Sequence, residues 1–73
     1  MFDEKREKVR ILLTKYLLTY SWLTNELEKS GVIVSQNELC DFLTARRRGD
    51  KADLVIKLSL SILEEYGKAY GDK

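Results

Sequence analysis

The side chains that could do chemistry in this chain are few, and their spacing excludes most reactions. A serine, threonine or cysteine nucleophile needs an adjacent base, and the 73 residues hold no histidine and one cysteine, Cys40. Glu64 and Glu65 are adjacent in sequence, so on a helix they point about 100° apart and cannot flank one bond as an acid and base must. The glycines at 31, 49, 67 and 71 are scattered and make no phosphate-cradling loop. A lone thiol without imidazoles cannot furnish a zinc site, and it excludes an intramolecular disulfide. These residues predict a non-enzymatic protein with no cofactor, no metal and no small-molecule substrate.

Composition sets the next bound. The chain is 34% charged and 44% hydrophobic, with 13 basic residues against 12 acidic ones for a net charge of +1. Apolar residues are spread along its whole length, which argues for one folded domain spanning 1–73 and against disorder. A core this small supplies only about 3–5 kcal/mol unless a staple, a metal or a partner adds to it. With no staple in the sequence, oligomerisation or partner binding is the expected supplement. The longest uncharged stretch, Tyr16 to Asn25, is too short to span a bilayer and carries hydroxyls and an amide. Met1 to Arg10 is densely charged with acids included, unlike a targeting peptide. The cytoplasm is therefore the expected compartment, without membrane attachment.

The elements that must position the remaining polar groups read as helices. Val9, Leu12, Leu13, Tyr16, Leu17 and Tyr20 recur at spacings of three and four, which predicts a first helix from about Asp3 to Leu18. Ser21 is the expected N-cap of a second helix, about Trp22 to Lys29, stopped by Ser30-Gly31. The β-branched run Val32-Ile33-Val34 then suits an extended, buried connection. Ser35-Gln36-Asn37-Glu38 matches the S-x-x-E capping box, so a third helix begins at Gln36, turns Leu39, Phe42 and Leu43 inward, and stops near Ala45 or Arg46 ahead of Gly49. Asp50 is the expected cap of a final helix with Ala52, Val55, Ser59, Ile62, Leu63, Tyr66 and Tyr70 near one face. Ile56 to Ile62 also alternates with period two, as a half-buried strand does, but the only pairing candidate, Val32 to Val34, is too short for a sheet. The expected fold is all-α, a small four-helix domain.

The run Ser21 to Val32 with Leu23 and Leu27, then Ser35-Gln36-Asn37-Glu38-Leu39-Cys40-Asp41-Phe42-Leu43 and Arg46-Arg47-Arg48-Gly49, resembles the short Cro and repressor-like helix-turn-helix regulators of phages and mobile elements. The resemblance covers about Ser21 to Leu63. It implies that Leu23, Leu27 and Leu39 pack the second and third helices into a helix-turn-helix. Two departures stand out: the connection from Glu28 to Val34 is longer than the family's tight turn, and Thr24 stands where the family prefers alanine.

The resemblance implies that the third helix is the recognition helix of a phage-type switch protein. Gln36 and Asn37 would then carry the carboxamides that pair with adenine in a major groove. Thr44 would look outward on the same face, and Arg46, Arg47, Arg48 and Lys51 would reach flanking phosphates. A net charge of +1 is low for such a task, and Glu38 and Asp41 on this face would oppose phosphate. The chain is also similar in size and layout to the modulator-of-repression antirepressors of lactococcal phages. That likeness implies the other reading, in which the same face binds a repressor protein and masks its DNA-contacting helix. Operator DNA and a phage repressor are thus the two expected partners, and Tyr66 and Tyr70, four apart, are expected to form part of the core or the seam of a homodimer.

Overall fold

A computed structural model describes residues 2–71 and contains four α-helices, with no strand among the described residues. Helix α1 (Phe2–Lys15) carries Asp3 and Glu4 in its first turn and Lys15 in its last, the charge order that a helix dipole favours. It buries Val9 and Leu13. Helix α2 (Tyr20–Lys29) buries Leu23 and Leu27, and α3 (Gln36–Leu43) buries Leu39, Phe42 and Leu43. Helix α4 (Asp50–Tyr66) packs on each of the other three and contributes Ala52, Val55, Ile56 and Leu63. A π-helical turn, Gly67–Gly71, prolongs it. None of the described helices is long and apolar enough to cross a membrane.

The segment Ile56 to Ile62 is helical throughout. Its period-two alternation arises because Lys57, Ser59 and Ser61 interrupt the apolar run, and only Ser59 of the three faces the core. The Ser59 hydroxyl is buried without a hydrogen-bond partner.

Three helices end in one way. At the end of α1, the Leu18 N–H donates to the Leu13 carbonyl at 2.8 Å and the Leu17 N–H to that of Thr14 at 3.1 Å. The same pair of bonds closes α2, from Val32 to Leu27 and from Gly31 to Glu28, and α3, from Arg46 to Asp41 and from Ala45 to Phe42. This is the Schellman termination, which requires a left-handed residue one position past the cap. Gly31 meets that need without strain at φ 94°, but Leu17 and Ala45 adopt φ 57° and 65°, a conformation that L-residues enter at a cost of about 1–2 kcal/mol. These turns correct two expected boundaries. Helix α1 stops at Lys15 rather than Leu18, and α3 stops at Leu43, ended by Ala45 rather than by Gly49.

The caps correct two more. Thr19, not Ser21, caps α2, its hydroxyl accepting from the Trp22 N–H at 3.1 Å, while the Ser21 carbonyl accepts the Thr24 hydroxyl at 2.9 Å. That bond satisfies Thr24 at the position expected to hold alanine. Gly49, at φ 139°, precedes α4 and has no capping side chain, so Asp50 lies inside the helix and, with Asp53, places negative charge in its first turn. In the connection between α2 and α3, Val34 is buried as expected, whereas Ile33 is 75% exposed.

Candidate partner-binding face around helix α3

With Leu39, Phe42 and Leu43 committed to the core, the rest of α3 and the loop after it form one face. Ser35 caps the helix as expected, its hydroxyl accepting from the Glu38 N–H at 3.0 Å. The second half of the capping box is diverted. Glu38 Oε2 instead accepts from Lys51 Nζ at 3.2 Å and lies 3.7 Å from Arg47 Nη1. Arg47 also reaches Asp41, Nε to Oδ2 at 3.6 Å. One carboxylate is shared by two cations and one guanidinium by two carboxylates. The network joins α3 to the loop and to the first turn of α4.

Each of these contacts is solvent-exposed on at least one side, so each contributes no more than about 1 kcal/mol to stability. Their effect on charge is larger. Glu38 and Asp41 are the more covered partners, with side chains 22% and 29% exposed. Of the four cations expected to meet phosphate, Arg47 and Lys51 are thereby neutralised within the chain. Arg46 and Arg48 are exposed and make no ion pair among the described residues.

The remaining expected residues occupy the same face in different states. Gln36 and Asn37 are exposed in the first turn of α3. Thr44 is exposed, but its hydroxyl donates back to the Cys40 carbonyl at 2.8 Å, so its proton is held by its own helix. Cys40 is half-buried. Burial raises the phenol pKa of Tyr20, the neighbouring Cys40 raises it further, and Arg10 opposes both.

Two further groups lie outside this network, a buried arginine that the sequence reading missed and an aromatic cluster that contains the expected pair Tyr66 and Tyr70. Arg6 is 6% exposed, and its Nε donates to the Phe42 carbonyl at 3.0 Å while its Nη1 pairs with Asp3. It therefore ties α1 to the last turn of α3, where the dipole is negative. Its sequence signal is position: Arg6 lies three residues before Val9 and seven before Leu13, on the buried stripe. The second group is an aromatic cluster. Tyr66 packs at a 45° tilt against Tyr16 with 5.2 Å between centroids, meets Trp22 edge-on at 5.4 Å and lies 4.9 Å from Tyr70. Gly67 makes room for it, because a Cβ there would collide with the Tyr16 hydroxyl. The cluster borders an open groove of about 750 Å³ between α2 and α4.

No protein-family model, curated protein or solved structure matches the chain.

Proposed function

We propose that this protein is a non-enzymatic regulator of a phage-type genetic switch, that α2 and α3 act as its helix-turn-helix, and that the α3 face works by protein contact, as an antirepressor against a repressor's DNA-binding domain. The observation that carries this reading is the chain of ion pairs that links Lys51, Glu38, Arg47 and Asp41. A DNA-binding face gains affinity by setting cations against phosphates and releasing counterions. Here two of the four cations are already paired, and the two carboxylates would have to lie beside phosphate. A protein surface bearing its own arginines and acids can exchange partners with such a network, which provides register and specificity.

Direct operator binding is the second reading. It is favoured by the exposed carboxamides of Gln36 and Asn37 at the start of α3 and by the unpaired Arg46 and Arg48.

A competition assay separates the two. The protein is titrated by fluorescence anisotropy into labelled operator DNA of a phage-type repressor alone and into a preformed complex of that DNA with the repressor, at two salt concentrations. Antirepression predicts release of the repressor with no operator binding by this protein. Salt-sensitive operator binding by this protein, with the repressor not contacted in free solution, would refute it.

A further inference from the structure

We propose that the groove between α2 and α4 is a self-association surface in which a two-fold dimer seats Tyr70 of each copy in the groove of the other. The groove shares no residue with the α3 network, so this inference stands apart from the function proposed above.

Three features lead to it. The first is apolar surface left open to water. Trp22 on one wall and Leu58, Ile62 and Tyr66 on the other are only half-buried, and Tyr70 at the mouth is 70% exposed. Exposed apolar surface gathered in a concavity marks an interaction site more often than scattered apolar residues do. The second feature is that a projecting ring and a cavity to receive it lie on one face. A two-fold interface is isologous, so each copy must carry both halves of the contact on the same patch. Tyr70, an exposed ring of the groove's own lining, is the half to be received, and the groove lined by Trp22 and Ile62 is the receptor. Tyr66 at the edge of the groove, already in contact with Trp22 and Tyr70, offers the incoming ring a tilted or edge-on aromatic partner.

Charge supplies the third feature, because the groove carries both halves of an ion pair that a second copy would complete. Lys29 lies on the α2 wall beside its partner Glu26, and Glu65 lies on the α4 wall of the groove. When a two-fold axis sets the α2 wall of one copy against the α4 wall of the other, Lys29 meets the second copy's Glu65 and the contact occurs twice. Glu65 makes no ion pair among the described residues. Lys29 is paired with Glu26 at 3.1 Å but remains 74% exposed, which leaves its ammonium room for another carboxylate.

Sedimentation equilibrium across a concentration series, from low micromolar to near-millimolar, tests this on the full chain. The wild type should pass from monomer to dimer. Tyr70→Ala should remain monomeric at every concentration while keeping the wild-type far-UV circular dichroism, because Tyr70 lies outside the core. Lys29→Glu should weaken the dimer about tenfold or more by setting like charges together across the interface, and adding Glu65→Lys to it should restore association. Both positions are exposed, so folding does not mask the readout. A wild type that stays monomeric throughout would overturn the proposal and leave the groove to a foreign partner. A Tyr70→Ala dimer as tight as wild type, or a double swap that fails to recover association, would overturn it as well.

Discussion

Replacing Arg6 by alanine should unfold a large fraction of the molecules at room temperature. Arg6 Nε donates to the Phe42 carbonyl at 3.0 Å from a side chain that is 7% exposed. A hydrogen bond to a charged group contributes about 1.5–3 kcal/mol. Alanine also strips two buried stem methylenes, each of about 0.8 kcal/mol. Together these give a loss of roughly 3–5 kcal/mol, as large as the whole stability expected of a domain this size. Asp3, the other partner, is 77% exposed, so Asp3→Asn should cost less than about 1 kcal/mol. Arg6→Met separates packing from polarity, since it keeps the stem and removes only the guanidinium, and it should melt between alanine and wild type. Urea and thermal denaturation followed by circular dichroism give all three values. An Arg6→Ala variant that melts with wild type would mean that the end of α3 does not depend on this bond.

Smaller perturbations test the local geometry. Ser35→Ala removes the hydroxyl that caps α3 and should cost about 0.5–2 kcal/mol; an unchanged melting curve would move the start of that helix. Leu17→Gly should raise stability by about 0.5–1 kcal/mol, because glycine relieves the left-handed strain at a position whose side chain is 88% exposed, and a loss on calorimetry would contradict the turn. Ser59→Ala removes a buried hydroxyl with no partner and should stabilise by about 1 kcal/mol or be neutral, whereas a loss above that size would reveal a hydrogen bond at this hydroxyl.

Most of the helical architecture was legible in the sequence because it rests on periodicity. Val9 and Leu13, Leu23 and Leu27, and Leu39 with Phe42 and Leu43 mark the inward faces without ambiguity, and Ser35 announces its own helix. The ends were harder to read. Glycine signals a left-handed turn, as at Gly31, but Leu17 and Ala45 adopt the same conformation with no such signal, held there by the two hydrogen bonds of each Schellman turn. Thr19 and Ser21 are both able caps, and only the register of the chain entering α2 decides between them. For the α3 face, the residue types gathered in one segment of the sequence did not disclose their pairing. Arg47 and Lys51 read as free cations in sequence, and three-dimensional proximity sets them against Asp41 and Glu38. Arg6 was hidden for the opposite reason, since a charged residue near a chain end reads as solvated until the helix turns it inward.

Asp41→Asn, titrated in parallel with wild type against operator DNA and against the repressor's DNA-binding domain, tests most directly whether the α3 face is built for a protein. The substitution releases Arg47 from one carboxylate while Glu38 stays in place. Recognition through the charge network predicts a repressor complex weakened severalfold or more, with operator binding still absent. An unchanged repressor complex together with newly tight operator binding, its salt slope steeper by about 1, would contradict that account and identify α3 as a DNA-reading helix.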